Sequence, residues 1–445
     1  MTLYLLPNHP SLSSIDPLGI CNSDEAQVPQ WDLLKALLAQ ATEKLQAIED
    51  LAKTSHQQSA WAATFSNILE DIAYSLHGDH GLSTDGLRTL LRSGGLSVSL
   101  LRVFRICLFR AALQLEELFS DASLLQLSEA TQTASFTRQQ TDCLLAHLLL
   151  GTLQNPIGND WGRPGFSQLF TENEATRNTA LAYLKTVILQ FCGDGYSASI
   201  EDDVHFVFTL VNGAQMPDST TSTTTAEPLP IIIVDQPSEP SPKPAAFVLI
   251  AANAQPGPGP AGTQEERVVG QSPALAIASL LAPTLSPSEA VITSPFPVHA
   301  RWTGHGRAAR CVEQINRNER PWRRYVIADA LELDLEDDAY ETKAENVVRE
   351  VRKLWAGFEG AKRAWLTEGK ALEDLVFEMP PWGCGAFGGS LGVKVACMRM
   401  AAALAGLRGE NLQLFVPRER AGELGGGEVE VVTVGELFGE VCGGG

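Results

Sequence analysis

Phe247-Val248-Leu249-Ile250-Ala251-Ala252-Asn253 is an apolar run that ends on a polar residue, and Gly257-Pro258-Gly259 and then Gln264-Glu265-Glu266 follow it. Its length and β-branched content read as a buried strand, and the glycine/proline stretch reads as the loop that leaves it. Ligands of open α/β sheets bind at the carboxyl ends of strands, which is where this loop begins. Glycines let a backbone approach a diphosphate closely and present N–H groups to it. Two carboxylates directly after such a loop are the groups needed for acid–base work on a sugar. The same residues in isolation would describe a surface turn and a helix start, so the surrounding sequence has to decide.

Working outward, strand and helix patterns alternate from Phe247 onward. Strands are expected at Phe247–Ala252, Ala290–Ser294, Tyr325–Ala328, Leu375–Met379, Leu412–Val416 and Val429–Val434, and helices at Ala274–Leu281, Lys343–Phe358 and Leu391–Leu407. That alternation predicts an α/β layered fold with a parallel or mixed sheet. Upstream, Val204–Val211 alternates as a strand, and Pro230–Val234 reads as an edge strand. Between them, residues 212–229 are polar and low in complexity and read as a flexible loop. Residues 31–53, 96–119, 137–153 and 178–191 carry helical spacing. The expected organisation is a helical accessory domain over 1–195 and an α/β domain over 196–445.

Composition narrows the function. The chain has 445 residues, 44% hydrophobic and 19% charged, which suits a globular protein of one large domain or two. No apolar run is long enough for a membrane span, and the start lacks a secretory signal pattern. Eight cysteines without a CxxC pair argue against a disulfide framework or zinc site and for a reducing compartment. A net charge of −20 opposes general nucleic-acid binding. Against that balance, Arg301, Arg307, Arg310, Arg317, Arg320, Arg323 and Arg324 crowd one segment, as a basic patch or simply a solvated face.

Two further segments bear on chemistry. Pro381-Trp382-Gly383-Cys384-Gly385-Ala386-Phe387-Gly388-Gly389 lies between a strand and a helix, where backbone donors and the helix dipole favour an anion. Phe387 or Trp382 could stack on a base or ribose, the other serving as core. Trp302-Thr303-Gly304-His305-Gly306 puts two rings around a turn, suited to clamping an adenine or, equally, to one buried Trp and one exposed His. His147 sits on an apolar helix and reads as a core residue, and Cys384 has no histidine near it in sequence to make it a nucleophile.

In this order these segments resemble the catalytic region of poly(ADP-ribose) glycohydrolases, strongly from about Phe247 to Leu407. The residues that carry the likeness are Asn253, Gly257–Gly259, Gln264–Glu266, Thr303–His305, Ile327–Leu331 and, most specifically, Trp382–Gly389. Phe136–Gln140 with Leu144–Ala146 is similar to a helix of the family's accessory domain. The resemblance implies a macrodomain-like mixed sheet sandwiched by helices, with an all-helical domain before it. It implies a hydrolase that cuts the ribose–ribose O-glycosidic bond, with poly(ADP-ribose), ADP-ribose and poly(ADP-ribosyl)ated proteins as partners. Glu266 would protonate the departing ribose 2′-oxygen and then activate water. Glu265, Gln264 and Asn253 would hold the riboses. Loops 257–262 (Gly257 and Gly259) and 385–389 (Gly385, Ala386 and Gly388) would grip the diphosphate, with Phe387, Trp302 and His305 near ribose and adenine. No metal or cofactor is implied. A nuclear or cytoplasmic setting and a part in the DNA damage response are implied as well.

The chain departs from the family at Pro258, which interrupts the triple glycine, at Ile250, at His305 in place of tyrosine, and at Pro381 in place of asparagine. The altered loop leaves open an ADP-ribose-binding module with little turnover. A nucleotide-cofactor enzyme built on Gly383–Gly388 is a further alternative, although Glu419 lies past Pro417, beyond the position a Rossmann unit requires.

Overall fold

The structure is a computed structural model describing residues 3–21, 27–51, 56–93, 95–153, 164–197, 204–235, 246–282, 284–336, 338–424 and 431–443. Its centre is one mixed sheet. In spatial order the strands are Thr133–Phe136, Phe206–Asn212, Glu289–Thr293, Trp322–Asp329, Ala246–Ala252, Val376–Met379, Leu412–Pro417 and Ile231–Val234. The first four pair antiparallel. From Trp322–Asp329 to the Ile231–Val234 edge every pairing is parallel. The Phe247 run is therefore a central strand, and Ile231–Val234 is the edge strand read from the sequence.

Alternation along that central strand builds two cores. Phe247 and Leu249 face one apolar cluster with Val326, Ala328 and the helices Ala344–Thr367 and Leu391–Leu404. Ile250 and Ala252 face the other, which takes in Tyr325, Ile327 and the N-terminal helices. The fold is thus the mixed α/β sandwich with N-terminal helices that the sequence implies.

The N-terminal helices observed are Gln30–Glu49, Gln57–His77, Asp85–Ser93, Val98–Leu113, Leu115–Leu118, Arg138–Leu150 and Arg177–Cys192. Gln57–His77 and Asp85–Ser93 lie outside the four helical segments expected. Thr137 starts the Arg138–Leu150 helix with a capping box: its side chain accepts from the Gln140 N–H, and the Gln140 side chain accepts from its own. His147 is fully buried on that helix, with ring nitrogens on Thr152 Oγ1 at 2.6 Å and the Ala112 carbonyl at 3.1 Å, a satisfied core residue. Among the described residues no helix is long and apolar enough to cross a membrane.

Three expectations meet a different local structure. The strand expected at Val429–Val434 survives only as Val432–Thr433, and a helix runs from Val434 to Gly443. Thr433 and Glu436 form a capping box there, with Glu436 N on Thr433 Oγ1 and Thr433 N on the Glu436 carboxylate. Local capping outweighs the β-branched composition of the run; residues 425–430 lie outside the described residues. The stretch 212–229 carries a short strand, Thr225–Ala226, paired with Val432–Thr433. Arg399 donates to the Ala226 carbonyl at 2.9 Å, so this stretch does contribute to the core. The boundary at 195/196 cuts through packing: Thr133–Phe136, from the segment expected to be wholly helical, is the edge strand of the main sheet.

That shared strand and core make a prediction. A truncated chain starting at residue 196 exposes the sheet face of Phe206, Phe208, Ile250 and Ile327, each uncovered side chain costing about 1.5–3 kcal/mol. We expect such a chain to be aggregated or unfolded in circular dichroism and gel filtration, where the full chain melts cooperatively; a well-folded monomer would contradict this.

Candidate active site

The site begins where the parallel ladder stops. Val376–Met379 pairs with the central strand only as far as Glu378 opposite Val248, and Pro380 and Pro381 that follow have no N–H to continue it. The exposed backbone groups of the central strand find Gln264 instead. Its Oε1 accepts from Ala251 N at 2.8 Å and its Nε2 donates to the Leu249 carbonyl at 3.2 Å. The side chain takes the place of a missing strand, and the two strands separate around a cavity of about 590 Å³.

Gln264 opens the helix Gln264–Gln271, capped by Thr263 and Glu266. Glu266 Oε2 accepts from Thr263 N at 2.9 Å, and Thr263 Oγ1 accepts from Glu266 N at 3.3 Å. Glu266 Oε1 has no hydrogen-bond partner among the described residues and sits against the backbone of Gly259. A Cβ on Gly259 would lie 2.0 Å from that oxygen, so any side chain there would displace the carboxylate. Glu265 points away into the loop, its carboxylate accepting from Asn253 N and Gly257 N, both at 2.9 Å. Burial pushes the Glu265 carboxyl up to about 8, partly offset by those two backbone donors and reinforced by Glu266 and Asp329.

Across the cavity runs the Trp382–Gly389 loop. Trp382 is core: its Nε1 donates to the Ala328 carbonyl at 2.9 Å, and the Lys394 ammonium lies over its ring at 5.3 Å. Lys394, buried, also pairs with Glu350 and Glu341, and Glu341 in turn accepts from Ser390 N at 2.9 Å. This network holds the loop at both ends. Between them the N–H groups of Gly385, Ala386 and Phe387 have no protein acceptor among the described residues, an arrangement that suits an anion. Gly385 also permits a close approach: a Cβ would lie 3.3 Å from His305 Nε2. His305 thus stands beside the Gly385 loop at the rim, and its partial burial and the Arg267 charge hold its pKa below the ordinary value.

Of the residues singled out in the sequence, Asn253, Gln264, Glu265, Glu266, His305, Gly385, Ala386 and Phe387 line the cavity. The structure does not bring Trp302 there. It is fully buried against Gly270, which resolves the Trp302–His305 turn as one core ring and one rim ring. Gly257, Gly259 and Gly388 are not on the cavity wall either; the Gly257 N–H is taken by Glu265, and the Pro258 carbonyl accepts from Gln168. Asn253 is occupied too, its Nδ2 donating to Glu332 at 2.9 Å. The arginine cluster does not form one patch. Arg323 pairs with Glu378 inside the cavity at 2.8 Å, while Arg324 pairs with Glu368 on the opposite face of the sheet at 2.6 Å. Lining residues that the sequence reading missed include Arg267, Glu378, Phe415 and Arg420, whereas Arg323 was read only as one member of the basic cluster. Arg267 directly follows Glu266, and helical spacing puts it on the face of Gln264, Val268 and Gln271. The others carried no local signal. Arg420 donates to the Cys384 carbonyl.

Residues 239–415 match the family model described as poly(ADP-ribose) glycohydrolase, macro domain fold. Over this segment the chain is similar to the poly(ADP-ribose) glycohydrolase family. A solved structure, a point mutant of the poly(ADP-ribose) glycohydrolase from Deinococcus radiodurans in complex with ADP-ribose, is similar at 11% identity. The alignment covers 53% of this chain and 93% of that one, with a TM-score of 0.26. No curated protein matches the chain. The family segment holds Glu266 and the Trp382–Gly389 loop, whereas Pro417 and Arg420, which close the cavity from the far side, lie beyond it.

The Glu265 environment gives a pH prediction. Its folded pKa, raised to about 8 from 4.5, means that the folded protein binds more protons than the unfolded chain between those values. Its contribution to stability is therefore complete below pH 4.5 and is lost as pH rises through 8. Melting temperature in the wild type should fall over that window, and Glu265→Gln should flatten the fall. An unchanged slope in the variant would show that Glu265 is not the group responsible.

Proposed function

We propose that the protein hydrolyses poly(ADP-ribose) at its ribose–ribose O-glycosidic bonds and releases ADP-ribose, with Glu266 as the proton-transferring residue. The observation that carries this reading is the state of Glu266. One carboxylate oxygen accepts from the Thr263 N–H while the other has no partner among the described residues, and the half-buried Glu266 lines the same cavity as three residues whose N–H groups also have no acceptor among the described residues. A fixed carboxylate opposite an anion cradle is what cleavage beside a diphosphate requires.

In this reading the diphosphate lies along Gly385–Phe387, and Phe387, half-buried at the cavity mouth, covers a ribose. Glu266 gives its proton to the departing 2′-oxygen as the bond to the anomeric carbon breaks. Positive charge on that carbon is shared with the ring oxygen, and the resulting carboxylate takes a proton from the attacking water. Gln264, Glu265 and Asn253 act mainly by shaping the wall, because their side chains are already engaged with protein groups.

Turnover by the full-length chain on poly(ADP-ribose), read as free ADP-ribose, tests the proposal. Glu266→Gln should keep ADP-ribose binding and lose about two to four orders of magnitude in rate. A wild type that binds ADP-ribose but releases none from polymer would make the protein a binding module. A variant turning over within a few-fold of wild type would remove Glu266 from the mechanism.

A further inference from the structure

Arg267 stands out among the cavity residues. Its residue exposure is 6%, yet among the described residues it has neither an ion-pair partner nor a hydrogen bond, and its Nε is buried without an acceptor. A guanidinium removed from water with nothing to balance it is costly, and such groups are normally paired. Helical spacing places Arg267 on one face with Gln264, Val268 and Gln271, and all four line the cavity. His305 ties this face to the opposite loop: its ring lies against Gly385 and feels the Arg267 charge. Arg267 and Gly385, Ala386 and Phe387, whose N–H groups have no acceptor among the described residues, therefore line one cavity.

We propose that Arg267 is a diphosphate ligand of this cavity, supplying a side-chain cation where the glycine loops supply only backbone donors. The identity of the anion as the diphosphate of ADP-ribose rests on the function proposed above; the anion site itself rests on Arg267. A guanidinium fork matches two phosphate oxygens, and its charge would be compensated only when the ligand is present. Burial lowers its pKa to about 10, which still leaves it cationic at neutral pH. It would also supply local attraction for a polyanion in a chain of net charge −20.

Calorimetry on the full-length chain with ADP-ribose, inorganic pyrophosphate and adenosine tests this in wild type, Arg267→Met and Arg267→Lys. Methionine keeps reach and packing and removes the charge; lysine keeps the charge and removes the fork. The methionine variant should bind ADP-ribose and pyrophosphate about ten- to hundredfold more weakly, with adenosine unchanged and lysine intermediate. Its ligand-free melting temperature should rise, because an unpaired buried charge is gone. If that variant fails to fold, the lysine variant decides, weakened binding of both anions supporting the proposal and wild-type binding overturning it. A folded methionine variant with wild-type affinity for both anions, or one that loses adenosine equally, overturns the proposal. So does a wild type that binds neither anion. A wild type that binds pyrophosphate through Arg267 but does not degrade polymer keeps the anion site and removes the proposed function.

Discussion

The side-chain amide of Gln264 on the backbone of Leu249 and Ala251 is the contact on which the site depends. Two prolines end the neighbouring strand, and a buried ladder cannot be left with open donors and acceptors. Gln264 satisfies them and so fixes where the helix begins relative to the strand. The next two residues inherit that position. Glu265 is turned back to hold the loop through Asn253 and Gly257, and Glu266 closes the capping box and lines the cavity. Three consecutive side chains thus serve three purposes, and the cavity exists because the strands separate where Gln264 replaces a ladder.

Charge is distributed against the overall balance. The chain carries 53 acidic and 33 basic side chains, but the cavity holds Arg267, Arg323 and Arg420. Arg323, almost wholly buried on the floor, gives Nη1 to Glu378 while its Nε and Nη2 have no partner among the described residues. Arg420 serves the loop: by taking the Cys384 carbonyl it fixes a planar peptide whose other end is the Gly385 N–H, and in a trans peptide those two groups point opposite ways. A residue beyond the family segment thereby aims a donor inside it.

Much of the fold was legible where a segment had its own period, although the Gln57–His77 helix was missed and the Val429–Val434 run gives way to a helix. The Phe247 run, the edge strand at Ile231–Val234 and the helix after the glycine loop all stand near where their patterns put them. The carboxylate pair and the Trp382–Gly389 loop were legible as motifs. Pairings made in three dimensions were not. Nothing local distinguishes Arg323 from Arg324, yet strand alternation sends them to opposite faces of the sheet and into separate ion pairs. Trp302 and His305 looked equivalent around their turn until Gly270 opened room for the Trp302 ring. Thr133–Phe136 is only four residues long and lies between helices, so its membership of the main sheet becomes visible only through its partner Phe206–Asn212.

In the proposed reaction one cavity, between the Gln264–Gln271 helix and the Trp382–Gly389 loop, holds both the ligand and the reacting carboxylate. A crystal structure of the full-length chain with ADP-ribose tests it most directly. The diphosphate is expected between Arg267 and the Gly385–Phe387 N–H groups, with the distal ribose within hydrogen-bonding distance of Glu266 Oε1. Ligand bound elsewhere, or a distal ribose directed away from Glu266, would contradict it.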